Sequence, residues 1–190
     1  MKKPYKNMPE YVFGHYKLRT ILKSDAVDMF DYGKDLDVTR YLNWGPFTTI
    51  FDAKKTYSEI FKPRIKAGLP IGYAIVDMRK NKMIGTIDFH SKIKGENSAE
   101  IGFCLHKDYW NQGIMTNALQ YLIQIGFNYL HYDSIRIKHL SQNTASQKVI
   151  EKMKFKFVSK EPYLLEKVYG ILKDEVLTYE LKREDYHGNQ

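Results

Sequence analysis

Residues 100–130 constrain the fold more than any other part of this chain. Glu100-Ile101-Gly102-Phe103-Cys104-Leu105 alternates with the period of two of a β-strand, with Ile101, Phe103 and Leu105 on one face. The turn Gln112-Gly113-Ile114-Met115-Thr116 follows. Beyond it Met115, Ala118, Leu119, Leu122, Ile123, Phe127 and Leu130 recur at steps of three and four, the spacing of an amphipathic helix over 116–130. A glycine turn between a strand and a helix N-terminus offers unpaired backbone N–H groups and the positive end of a dipole, and both suit a phosphate. The pattern therefore points to a phosphorylated ligand held at position 113. On the pentapeptide alone, a glycine after a strand is most often only a turn.

The rest of the chain reads as one domain, 1–190, with no repeat, linker or low-complexity tract. Strands are expected at 16–22, 71–77, 83–89, 99–106, 134–140, 155–160 and 174–181, the second and third joined through 78–82. Ser24 reads as the cap of a first helical stretch, with Asp25 and Asp28 in its first turn. Residues 51–66 read as a helix interrupted or kinked near Pro63, and Asn143 to Met153 as a short helix. This β-α-α-β-β-β-α-β-α-β-β order is mixed α/β, with a sheet too antiparallel for a doubly wound fold.

Charge and composition exclude several classes. The 43% hydrophobic content is too high for a disordered chain, and no apolar run approaches the ~18 residues of a membrane span. The N-terminus has lysines but no apolar stretch after them, so it does not read as a signal peptide. Cys104 has no second cysteine to pair with; a reducing, cytoplasmic setting is expected. The net charge of +8 comes from scattered Lys and Arg, without a charge block, a zinc-finger spacing or an aromatic RNA-binding consensus. A nucleic-acid partner is not expected, and neither is a membrane.

No GxxxxGK[ST] and no GxGxxG is present, so neither a P-loop nor a dinucleotide fingerprint explains the turn. Ala99-Glu100-Ile101-Gly102-Phe103, then Tyr109-Trp110-Asn111-Gln112-Gly113-Ile114-Met115-Thr116-Asn117-Ala118-Leu119, then Asn143-Thr144-Ala145-Ser146 and Val149 to Phe155 together resemble the GNAT superfamily of acetyl-CoA-dependent N-acetyltransferases. More narrowly the chain is similar to the RimJ/RimL branch, which acetylates ribosomal-protein N-termini. Leu18-Arg19, Asp25-Ala26, Val38 to Leu42, Gly72 to Val76, Ile84 to Ile87, Asp174 and Tyr179-Glu180-Leu181 follow the branch's order, so the resemblance covers roughly 16–182. It implies a GNAT fold: a mostly antiparallel twisted sheet of about seven strands, splayed between the fourth and fifth, with flanking helices. It also allows a homodimer.

The resemblance makes the turn a coenzyme A pyrophosphate site, with Gln112, Gly113, Ile114, Met115, Thr116 and Asn117 as binding residues through their amides and the Thr116 hydroxyl. Met115 stands where Gly or Ala is commoner, and Trp110 where the wider superfamily has Gln or Arg. The resemblance also implies that the strand at 99–106 splays away from 134–140, leaving backbone groups near Phe103, Cys104 and Leu105 for the pantetheine. Gly102 by itself reads either as a close backbone approach or as a bend.

Acetyl transfer to a primary amine needs a proton acceptor, a group that polarises the thioester carbonyl and a donor to the leaving thiolate. Glu100 lies opposite the apolar face of its strand and reads as the base or as a solvent-facing carboxylate. An N–H near Leu105 would serve the carbonyl. The tyrosine that many superfamily members place seven residues after the Asn is Ile150 here, so the resemblance assigns the acid to Ser146. Asn143 orients the pantetheine or the serine and also reads as a helix cap. The branch's glutamate five residues before the Asn is Lys138, which cannot be a carboxylate base and would repel a cationic acceptor. Lys154 replaces a usual glycine, from which a local turn change is expected. His139 reads as a satisfied, semi-buried side chain, Cys104 as a packed residue rather than an acetyl carrier, and His90 and His106 lack metal-ligand spacing. Tyr41 and Trp44 are expected to wall the acceptor pocket, the acceptor being a protein N-terminus or a small amine. The competing reading is a GNAT-fold protein that holds acyl-CoA without turnover.

Overall fold

The computed structural model describes residues 9–67 and 73–186. Eight strands form one sheet: β1 (Tyr11–Phe13), β2 (Tyr16–Thr20), β3 (Tyr73–Asp77), β4 (Lys82–Lys92), β5 (Ser98–Leu105), β6 (Ser134–Leu140), β7 (Lys156–Lys167) and β8 (Gly170–Lys182). Their order across the sheet is β1-β2-β3-β4-β5-β6-β8-β7, antiparallel at every step except β5–β6. The fold is therefore the mixed α/β, mostly antiparallel architecture expected, with β1 as an added edge.

Helices cover both faces, and alternation along β3 divides its side chains between them. Tyr73 and Ile75 join the cluster under α5 (Ile114–Gln124) and α6 (Thr144–Glu151). Ala74 and Val76 join the cluster under α1 (Ala26–Gly33), α2 (Leu36–Thr39), α3 (Ile50–Thr56) and Phe61, which precedes α4 (Lys62–Ala67). A strand covered on both sides has no polar face, and all five residues of β3 are buried. No helix is long and apolar enough to cross a membrane among the described residues.

Several boundaries differ from the sequence reading. The break expected near Pro63 lies one turn earlier, as a π-turn over Tyr57–Phe61 in which the Lys62 amide reaches back to the Tyr57 carbonyl. Pro63 has no N–H for the Glu59 carbonyl, which favours the wider turn before it. The helix read as 116–130 starts at Ile114 and ends in a second π-turn, Ile125–Tyr129. Ser24 makes no capping bond; Asp25 instead accepts the Leu22 amide at 2.7 Å, and Asp28 accepts that of Met83 at 2.9 Å. The first two residues of the expected strand 71–77 lie outside the described residues. The two short C-terminal strands are one long hairpin, paired as far as Lys167↔Gly170. Its outer half is largely exposed, with Leu164, Val168, Tyr169 and Ile171 at the surface, so hydrophobic alternation does not mark one buried face, and Pro162 is tolerated because β7 is the sheet edge.

Candidate active site

The parallel pairing of β5 with β6 runs only from Ser98↔Ser134 to Ile101↔Ile137. β5 continues against β4, and β6 against β8, so the two strands diverge from Gly102 onward. The sheet is held open there because each strand is already bound on its outer side. A Cβ added at Gly85 would lie 2.3 Å from the Cys104 carbonyl, which puts that peptide group on the β4 side. By alternation the peptide groups of Phe103 and Leu105 face the opening. The Leu105 carbonyl is taken by the Trp110 indole N–H at 2.7 Å, leaving the Leu105 amide and both Phe103 groups towards the gap.

At the wide end lies the glycine turn. Gly113 adopts φ 74°, ψ 0°, a left-handed conformation that redirects the chain into α5. The N-terminus of α5 has no side-chain cap and no acidic residue in its first turn. The Asn117 amide already donates to the Gly113 carbonyl at 3.1 Å, and the Asn117 side chain does so at 2.9 Å. Asn117 is thus the one residue of the expected set whose backbone donor is spent, because it is the first to close a helical bond. Gln112 donates its side chain to the Asp108 carbonyl. A cavity of about 590 Å³ connects this turn to Phe103–Leu105 and to the start of α6, with Arg40, Lys148 and Lys152 at its wall against one carboxylate, Asp37. Free amides, a positive dipole end and three cations match a polyanionic ligand with an extended arm.

A second cavity, about 740 Å³, lies on the α1–α4 side of the opening. Tyr41, Trp44 and Phe47 line it, with Trp44 stacked on Phe47 at 5.1 Å between centroids. The two cavities share Tyr41, Leu42, Phe103, Cys104, Asn143 and Ser146. Asn143 caps α6 by accepting the Ser146 amide at 3.1 Å, which sets the serine at this junction. The Ser146 hydroxyl is half-buried and has no hydrogen-bond partner among the described residues.

Glu100 lies in the second cavity with its side chain 14% exposed, bound by Lys138 Nζ at 2.8 Å and His90 Nε2 at 3.2 Å. Burial works to raise its carboxyl, but the His90 and Lys138 contacts outweigh that and hold it below the usual carboxylate range. Gly102 gives His90 room: a Cβ there would stand 2.9 Å from the imidazole Cδ2. The close approach read at Gly102 is thus that of a neighbouring side chain. Beside this pair, Arg64 binds Asp88 at 2.7 Å and also the Phe89 carbonyl.

The Cys104 thiol is buried and pushed up to about 12 by desolvation, so it is a packed thiol and not a thiolate. His139 Nδ1 lies 2.8 Å from the Leu140 carbonyl, which can only accept, so the proton is on Nδ1 and Nε2 is the bare acceptor. Burial lowers the imidazole's affinity for a second proton, and Nε2 has no hydrogen-bond partner among the described residues. His139 is thus only half satisfied. Lys154 keeps a glycine-like φ of 59°, so the expected turn change does not occur. His90 and His106 belong to separate networks, the latter 3.6 Å from Asp31. Sequence reasoning missed three residues. In the sequence His90 reads only as a candidate metal ligand, and neither the Trp110 indole bond nor Lys167 has a local signal. The ammonium of Lys167 donates to the carbonyls of Thr39, Leu42 and Trp44, tying the β7–β8 hairpin over the second cavity.

Residues 16–156 match the acetyltransferase (GNAT) domain model. A protein of Bacillus licheniformis named "uncharacterized N-acetyltransferase p20" is 32% identical over 88% of this chain and 93% of its own length. Among solved structures, the ribosomal-protein-S5-alanine acetyltransferase of Vibrio fischeri superposes with a TM-score of 0.76 at 21% identity, over 95% of this chain and all of the other. RimL, a ribosomal L7/L12 α-N-protein acetyltransferase solved in complex with coenzyme A, gives 0.77 at 20% identity, over 93% and 98%.

Proposed function

The chain belongs to the GNAT acetyltransferase family, and from that premise we propose that it transfers acetyl from acetyl-CoA to a primary amine by direct attack in a ternary complex. The acceptor is a protein N-terminus or a small amine. The observation that carries this reading is the junction of the two cavities at Phe103, Asn143 and Ser146, which lets one ligand enter from each side of the sheet. Coenzyme A supplies an activated thioester. The amides of Gly113 to Thr116 would hold its diphosphate, and the two peptide groups of Phe103 would pair with its arm. The Leu105 amide donates to the thioester oxygen as negative charge develops there. Glu100 takes the proton from the acceptor nitrogen, directly or through water, and the unpaired Ser146 hydroxyl donates to the departing sulfur.

The Glu100–Lys138 contact also favours a second reading, a protein that binds acyl-CoA without turnover, because the base is already engaged. A thiol-release assay over a panel of peptides and small amines separates the two. Transfer predicts release that depends on the amine, with kcat falling about 10²-fold or more in Glu100→Gln. Tight coenzyme A binding without release on any amine, unchanged by Glu100→Gln, would sink the enzymatic reading.

A further inference from the structure

Lys138 is the first residue of β6 beyond its last pairing with β5, Ile101↔Ile137. Its α-carbon therefore stands at the apex of the opening, where an arm threaded between the strands must end. Lys138 shares the Glu100 face of the sheet, lines the acceptor cavity and places its Nζ 2.8 Å from Glu100 Oε2. The side chain is 45% exposed and makes no other ion pair among the described residues, so it is free to swing within the cavity. An acetyltransferase that deprotonates amines at Glu100 thus already contains a primary amine at that carboxylate.

We propose that Lys138 is an acetylation site of the protein itself, modified in its own acceptor cavity. This rests on the acetyltransferase reading above. The ammonium first gives a proton to Glu100. Nζ then attacks the thioester carbonyl, the C–S bond breaks as the amide C–N bond forms, and the second nitrogen proton passes to the departing thiolate, which leaves as thiol. Nothing is oxidised or reduced, and acetyl-CoA is the sole co-reactant. The product is neutral, so Glu100 keeps only His90 as partner and the cavity loses one positive charge. The modified protein receives a cationic acceptor more readily, because Lys138 no longer competes for the carboxylate.

The test incubates the full-length protein with acetyl-CoA and no added amine, followed by intact mass and peptide mapping. One acetyl group is expected at Lys138, forming at least tenfold faster than at the exposed Lys54 of α3, and at least tenfold slower in Glu100→Gln while Lys54 is unaffected. Lys138→Arg removes the fast phase. Lys138→Gln, which mimics the neutral product, lowers the KM for a cationic peptide about fivefold. A protein that binds acetyl-CoA and acetylates added amines, yet modifies Lys138 no faster than Lys54, overturns the inference and leaves the enzymatic reading intact. A protein that shows no thermal shift with acetyl-CoA and no thiol release overturns both.

Discussion

Arg19→Met tests how the acceptor side of the molecule is anchored. Arg19 on β2 forks onto Asp25 with bonds of 2.7 and 2.8 Å, and the same carboxylate accepts the Leu22 amide at 2.7 Å. The Asp25 side chain is 4% exposed and that of Arg19 19%, so the pair is nearly dry. Removing the guanidinium strands a buried carboxylate, a loss of 3–5 kcal/mol when a pair is fully enclosed and about 3 kcal/mol here, because Arg19 still touches water. At about 2–4 °C per kcal/mol for a chain of this size, Tm falls by about 6–12 °C in a circular-dichroism melt. Adding Asp25→Asn recovers most of the loss, since the amide oxygen still accepts the Leu22 N–H while the stranded charge is gone. A drop of under about 3 °C in Arg19→Met, or no recovery in the double variant, would refute the reasoning. Because Asp25 is the N-cap of α1, which lends Met29 and Tyr32 to the second cavity, KM for the amine should rise along with the instability.

Three further outcomes are expected. Gly113→Ala meets nothing closer than the Asn117 Nδ2 at 3.9 Å, so its whole cost is the φ of 74°, about 1–2 kcal/mol in urea unfolding, accompanied by weaker coenzyme A binding in calorimetry. Lys154→Gly relieves the same strain at φ 59° and, after the unfolded-state entropy of glycine, raises stability by about 0.5–1 kcal/mol in the same assay. Asp31 is held down to about 2, from 3.8, first by Lys82 and also by Lys34. A carboxylate whose folded value is depressed contributes stability above 3.8 that disappears as pH falls towards 2, so Asp31→Asn should flatten the acid limb in that window and change little near neutrality.

The site was legible in part, and the reason differs from residue to residue. The turn at Gly113 and the cap at Asn143 are local devices, carried by residue type within four positions, so they could be read directly. Phe103 to Leu105 could be placed on a strand, but which of their peptide groups stays free depends on Trp110, whose indole closes over the Leu105 carbonyl. Lys138 was flagged as a departure; that it contacts Glu100 was not readable, because the contact comes from the register of two strands 38 positions apart. Lys167 is not readable from the sequence: it lies at the tip of a hairpin whose outer half exposes apolar residues such as Leu164 and Ile171 alongside polar ones, so no buried face marks the strands.

The sequence by itself determined the strand–turn–helix at 100–130, the cap at Asn143 and the mixed, mostly antiparallel element order, since these follow from periodicity and turn chemistry within short windows. Only the tertiary structure decided where the opening between β5 and β6 begins, the meeting of two cavities at Ser146, and the ring of His90 and Lys138 around Glu100. Those features arise where strands distant in the chain are paired on one side and left unpaired on the other, and no local pattern encodes which partner a strand will lack.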